Sequence, residues 1–316
     1  MDNVTHSLVG LMLARVSGKN AMMMVVAANF PDIDIISWAG GSLTYLEFHR
    51  GIAHSLVAAP FLALIAMLLF RNRAWQAYLA CLVGVMSHLL LDWTNTYGIR
   101  MLLPFSARWL HLDTVDVVDP WILLAFLLAV AAPALAGLVS SEIGAKKSSG
   151  ARHGWAWVAL AFLLAYEGGR FAAHQRVLAV MGARLYNGKQ ANRLSAIPNR
   201  WTPFQWRGVA EGDGYVVDVP VDLNTEFDPS QGRIDYTSPP NEAALKTRPF
   251  QVFSRFDQLP FWKVEKLGDG ATEVQLIDLR FGTPEKPGFV AVAVVDAAGF
   301  VRESQFRFGL PAMRVD

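Results

Sequence analysis

His49-Arg50-Gly51-Ile52-Ala53-His54-Ser55 leads into an apolar run, residues 51–70, that contains no Asp, Glu, Lys or Arg. A second uncharged run, 74–91, ends in Ser87-His88-Leu89-Leu90-Leu91-Asp92, and a third occupies 120–141. Each is close to the roughly 20 residues that a helix needs to cross a bilayer core at about 1.5 Å per residue. The chain therefore sets histidines and aspartates at the rims of membrane helices. Such groups are costly there, and a cation is the natural compensating partner.

Composition agrees: 53% of residues are hydrophobic, 17% are charged, and the apolar content is concentrated in the first half. Residues 154–173 form a fourth predicted span, interrupted late by Glu167 and Arg170. Residues 7–14 and 21–30 are too short to cross and flank Arg15, Gly18 and Lys19, a pattern that predicts a helical hairpin packed among the other helices. No Lys or Arg precedes the first apolar run, so this start is not expected to be a cleaved signal peptide.

Past about residue 175 the pattern changes to short alternating runs separated by turn residues: 214–223, 250–256, 261–267, 272–281 and 288–295. That predicts an antiparallel β-rich domain large enough to bury its own core. The expected organisation is a membrane-embedded α-helical metal-binding domain over 1–175 and a soluble β-rich domain over 176–316. The stretch 186–208, with Trp201, Pro203, Phe204 and Trp206, joins them; its aromatics sit at headgroup level or pack onto the β domain.

Arg15, Lys19, Arg71, Arg73, Lys146, Lys147 and Arg152 fall in loops on one side of the predicted spans, against Arg50, Arg100 and Arg108 on the other. The bias places the first set in the cytoplasm and the polar islands and β domain outside it. A reporter fused after Asp316 that reads as cytoplasmic would overturn this orientation.

From His54 to Arg71 is 17 residues, about 25 Å of helix, and from Arg73 back to His88 is 15 residues, about 22 Å. Two antiparallel helices thus bring both histidines to one depth. Asp32 and Asp34, after the hairpin's returning arm, and His6, before its leaving arm, reach the same rim. Taken singly, each group has a plainer reading. His88 and Asp92, at i and i+4, share a helix face but also suit a helix-terminal His with a capping Asp. Asp32 and Asp34 suit a Pro-Asp turn, and His49 and His54 suit interfacial histidines bonded to carbonyls. At one depth together they predict a metal site.

The donors are all nitrogen or oxygen, since the single Cys81 lies inside a helix and serves packing. The ions expected are divalent zinc, foremost, or manganese or iron. Seven candidates, His6, Asp32, Asp34, His49, His54, His88 and Asp92, exceed the four ligands of one closed ion. Two ions sharing a carboxylate and activating a water are therefore predicted. Arg50 would receive developing negative charge, or anchor to lipid headgroups.

Elsewhere, Asn95, His111, Asp113, Asp116 and Asp119 read as a solvated loop, some of them as acceptors for ligand imidazoles. Glu167, Arg170 and His174 read as an interfacial ion-pair stripe. There is no phosphate-binding glycine loop, dinucleotide fingerprint or basic stripe, and a net charge of +1 gives no support for nucleic-acid binding.

Met1-Asp2-Asn3-Val4-Thr5-His6-Ser7, Pro31-Asp32-Ile33-Asp34, the 49–55 stretch and Ser87-His88-Leu89-Leu90-Leu91-Asp92-Trp93, in that order, resemble the YdjM-type inner-membrane metal-dependent hydrolases of bacteria. Ile197-Pro198-Asn199-Arg200-Trp201 and Asp278-Leu279-Arg280-Phe281 are similar to elements of that family's longer members. The resemblance implies a multi-pass, membrane-bound hydrolase. A more distant likeness is to zinc-dependent phospholipase C. It implies His6, Asp32, His49 or His54, His88 and Asp92 as ligands, with Asp32 bridging ions or acting as base. The His-x-x-x-Glu pair that holds a third ion there has no counterpart here.

The expectation is metal-dependent hydrolysis of a phosphoester or lipid-linked substrate, with membrane lipid as the partner. The competing expectation is a metal-stabilised scaffold or metal-handling protein with a partner-binding β domain.

Overall fold

A computed structural model describes residues 1–142 and 151–308; Lys146, Lys147 and the last eight residues lie outside the described part. Asp2 accepts hydrogen bonds from the Val4 and Thr5 amides and Gly18 closes the other end at φ 66°, so the first helix, α1, runs Asn3–Ser17. α2 (Ala21–Asn29), capped by Asn20, returns against it as the predicted hairpin. A Cβ added at Gly10 would lie 2.8 Å from the Met24 carbonyl and 2.9 Å from Ala28 Cβ. Only glycine allows this approach. The returning arm is not short, however: a 3₁₀ segment, Phe30–Gly40, continues it, and Ala21–Gly40 as a whole is long and apolar enough to cross a membrane.

Residues 51–70, predicted as one span, are broken. α3 (Ser42–Phe48), a 3₁₀ turn at Ile52–His54 and α4 (Ala59–Leu69) form a bent pair with an angle of 83°. The break has local causes: Arg50 is left-handed at φ 52°, and Pro60 fits only the first turn of a new helix. α5 (Trp75–Thr94) and α6 (Pro120–Glu142) match their predicted spans. α7 (Ala151–Gly182) is one unbroken helix of 32 residues that crosses the expected junction at 175. Among the described residues, three straight helical segments pass as spans and a fourth does if the bent pair counts as one; α7 does not pass, because polar residues such as Glu167 and Arg170 interrupt it. Leu69, Val83, Leu128 and Leu135 remain exposed on the outer helix faces, as lipid contact requires.

Two four-stranded antiparallel meanders make up the rest, in the order β1-β2-β3-β4 and β5-β6-β7-β8. The first comprises β1 (Arg193–Pro198), β2 (Gln205–Gly212), β3 (Tyr215–Asp222) and β4 (Arg233–Tyr236). The second comprises β5 (Pro260–Lys266), β6 (Thr272–Asp278), β7 (Phe289–Val295) and β8 (Val301–Phe308). The stretch read as a joining segment thus holds β1 and half of β2. Its aromatics divide: Trp206 is buried, whereas Trp201 and Phe204 are exposed.

The run 250–256, read as a strand, is helical. A short α8 (Glu242–Leu245) precedes α9 (Arg248–Phe256), in which Phe250, Phe253 and Phe256 recur every third residue and all face inward. α9 packs with Trp109, Tyr97 and Leu46 in one apolar cluster, so the β domain sits on the loop that follows α5. That loop is solvated only in its middle: Phe105 is exposed and His111 and Asp116 are half-buried, whereas Asn95, Asp113 and Asp119 are buried.

Candidate metal centre

α5 carries His88 and Asp92 on one face, and the hairpin lies against it where Gly84 meets Ala27. This packing sets His88 Nδ1 2.7 Å from the Ala28 carbonyl. A carbonyl only accepts, so Nδ1 donates in this contact, and Nε2 is the ring nitrogen turned inward. It faces His54 Nε2 at 3.2 Å. Asp32 Oδ1 lies 3.3 Å from His54 Nε2 and 3.6 Å from His88 Nε2; Asp92 Oδ2 lies 3.5 and 3.3 Å from the same two atoms.

Four donor atoms from three segments of chain thus gather, with each carboxylate oxygen 3.3 to 3.6 Å from both histidine nitrogens and those nitrogens 3.2 Å apart. Ligands about 2.0–2.1 Å from one zinc-sized ion are separated by about 3.3 Å when tetrahedral, so Asp32, His54 and His88 are spaced as ligands of one cation. A proton would satisfy one of these pairs, whereas an ion joins three atoms at once. Asp92 Oδ2 and both nitrogens of His6 are buried without a hydrogen-bond partner. Groups so placed cost free energy unless something charged joins them.

Two further groupings share these residues: His6 with His88 and Asp92, and Asp32 with Asp34 and His49. His6 stacks on His88 at 3.7 Å, and its Nε2 is 3.5 Å from Asp92 Oδ1. His49 Nδ1 meets Asp34 Oδ1 at 2.9 Å; His54 Nδ1 lies 3.0 Å from Asp34 Oδ2 without the alignment of a hydrogen bond. The structure therefore brings all seven predicted residues together. His49 and His54 both belong, in different groupings, and Asp32 belongs to two.

Arg50 differs from expectation in part. Its Nη2 pairs with Asp92 Oδ1 at 2.9 Å, its Nη1 donates to Asn95 Oδ1 and the Gly98 carbonyl, and the guanidinium lies 4.6 Å over the Tyr97 ring. Three of its five N–H donors are thus committed, leaving Nε and one Nη2 hydrogen. The Met1 α-amino group also contacts Asp92.

Two residues outside the predicted set hold the ligands in place. Asn3 donates to Asp32 Oδ2 at 2.9 Å. Asn95, wholly buried, accepts from Arg50 and the Tyr97 amide and donates to Asp92 Oδ1 at 3.3 Å. A signal existed for Asn3, which stands three residues before His6 on α1, whereas Asn95, just past the end of α5, read as part of a solvated loop.

The expected stripe of Glu167, Arg170 and His174 is not an ion-pair stripe. Glu167 accepts from the Thr94 and Thr114 hydroxyls at 3.0 Å each, while Arg170 donates to the Thr114 and Pro203 carbonyls and lies over Trp206. Both residues tie α7 to the loop that α5 feeds. Cys81 is buried in the helix core, as predicted.

A cavity of about 740 Å³ opens beside the cluster, between the helices and the second sheet. Asp32, His49 and Arg50 line it on one side and Phe281, Phe289 and Phe308 on the other.

The sequence profile of a family described as "YdjM inner membrane protein" matches residues 1–177. A curated relative, "Uncharacterized protein YfhP" of Bacillus subtilis (strain 168), is 30% identical over an alignment of 149 residues that covers 42% of this chain and 46% of that protein. The chain thus spans about half the length of the relative it matches. No solved structure matches.

Proposed function

The chain belongs to the YdjM inner membrane protein family, and on that premise we propose that it is a membrane-bound, metal-dependent hydrolase acting on a phosphoester or lipid-linked substrate. The observation that carries this reading is the convergence of Asp32, His54 and His88, with Asp92 beside the same two histidine nitrogens, at the rim of the apolar helices.

His54, His88, Asp32 and Asp92 would hold one divalent ion, zinc first by donor type, and His6 or the Asp34 and His49 pair would extend the site toward a second. When bound, such ions supply Lewis acidity and lower the pKa of a coordinated water toward neutrality. The protein's own groups do the rest. Asp32, in two groupings, would bridge two ions or accept a proton. Arg50 holds Asp92 in place and keeps Nε and one Nη2 hydrogen for negative charge that develops on the substrate. Tyr97, beneath the guanidinium, limits its movement. The Lys and Arg bias of the loops supports an orientation with this centre and the β domain outside the cytoplasm.

The test is metal analysis of the purified protein together with hydrolysis of a panel of phosphoesters and lipids. The wild type is expected to carry a divalent ion and release product. His88→Ala and Asp92→Ala should lose both, with unchanged helix content. Metal without product from any substrate would favour the scaffold reading; absence of metal from the wild type would end the proposal.

A further inference from the structure

We infer that the cavity beside the centre is a slot for an amphiphile, one apolar chain ending in a phosphate, with the chain along an aromatic wall and the phosphate at Asp32, His49 and Arg50. This rests on the reading above, since two carboxylates would repel that phosphate without a cation between them.

The wall is continuous. Trp38 is 53% exposed and lies edge-on to Tyr45 at 4.9 Å; Tyr45 stacks on His49 at 4.4 Å, and His49 belongs to the ligand groupings. Aromatic surface therefore leads from outside the protein to the cluster without a break. The second sheet extends this wall, where Phe308 stacks with Trp38 at 5.9 Å and meets Phe289 at 4.8 Å. The mouth lies at Ile35 and Trp38 on the 3₁₀ segment, whose neighbours Ile33 and Ile36 are 56% and 78% exposed. That segment is the end of a candidate membrane span. An apolar chain can therefore pass from bilayer to slot without crossing water.

Charge narrows the occupant further. Arg280, at the other end of the cavity, is engaged by Asp278 and by the carbonyls of Thr96 and Phe256, and Arg200 donates through Nε and Nη2 to both oxygens of Asp116. With an ion bound, the cluster end is the place for the phosphate. A single phosphate with a long tail matches that polar end and the apolar wall. A cavity of about 740 Å³ is much larger than a phosphate and falls within the roughly 300–1,000 Å³ range of ligand sites.

The test uses the full chain in detergent, with a long-chain alkylphosphonate brominated at its far end, which quenches nearby tryptophan and resists hydrolysis. Saturable quenching beyond that caused by the matching bromo-alcohol is expected, and Trp38→Phe should abolish it while Trp157→Phe leaves it. Methylphosphonate should compete at least tenfold more weakly. Ile35→Asn, at an exposed position, and Phe289→Ala should each weaken the long-chain probe about tenfold and leave methylphosphonate unchanged. Quenching that survives Trp38→Phe, equal competition by methylphosphonate, or no saturable quenching would each overturn the slot. Product release with no chain-dependent binding overturns the slot and spares the hydrolase; saturable quenching with no product from any phosphoester does the reverse.

Discussion

Asn95 is the residue on which the centre's order most depends without being a candidate ligand. Its amide oxygen collects three donors, Arg50 Nη1 and the backbone N–H of Tyr97 and Gly98, and its amide nitrogen reaches Asp92. Removing it takes one hydrogen-bond partner from Arg50 and one from Asp92, so both are held less firmly. Groups that orient metal-binding side chains typically change affinity by roughly 10–100-fold when lost. Asn95→Ala should therefore weaken divalent-ion binding by that order in a chelator competition titration, while His88 and Asp92 remain in place. An unchanged affinity would reduce Asn95 to shaping the loop. The seven candidate ligands were legible because their chemistry is local and their positions fall at the edges of uncharged runs. Asn95 was not, because an asparagine after a helix reads as solvated until the β domain is seen to cover it.

Among the elements, the hairpin of α1 and α2 controls the centre from behind. Gly10 lets the two helices touch, and the Ala28 carbonyl that holds His88 Nδ1 lies on the helix so placed. Alanine is the better helix former by about 1 kcal/mol, yet its Cβ would stand 2.8 Å from a backbone carbonyl, and overpacking typically costs about 1–3 kcal/mol. Packing should win. Gly10→Ala is expected to lower the thermal midpoint and loosen metal binding with no ligand altered, whereas Gly168→Ala, facing open space in α7, should be neutral or stabilising. The hairpin itself was readable from two short apolar runs around Arg15, Gly18 and Lys19. Its continuation through Gly40 was not, since a 3₁₀ segment lacks the 3.6-residue period that marks a helix. α9 was misread for a related reason: seven residues rich in Phe and Val fit both periods, and the packing of Phe250, Phe253 and Phe256 decides between them.

In the whole molecule, Arg280 joins the two halves. It is 5% exposed, pairs with Asp278 through two nitrogens, and donates to the Thr96 carbonyl on the loop that shapes the centre. Breaking a buried pair by removing one partner typically costs about 3–5 kcal/mol, because the other charge is left uncompensated. Arg280→Ala should thus destabilise the β domain's seat by that order, read as lower unfolding midpoints and new protease cleavage near the junction. Asp278→Asn combined with Arg280→Ala should cost less than Arg280→Ala alone. Equal losses in the two variants would mean that the carbonyl contacts, not the ion pair, make the joint.

By itself, the amino-acid order determined where the chain is apolar enough for a membrane, where it turns, that a β-rich part follows, and which side chains stand ready for a cation. Those properties are set by neighbours a few positions apart. Only the tertiary structure decided that His54 and His88, 34 positions apart, face one another, that Arg50 is largely spent on Asp92 and Asn95, and that Arg280 closes over a loop 184 positions away. Contacts of that separation depend on how whole faces pack, and no local period records them.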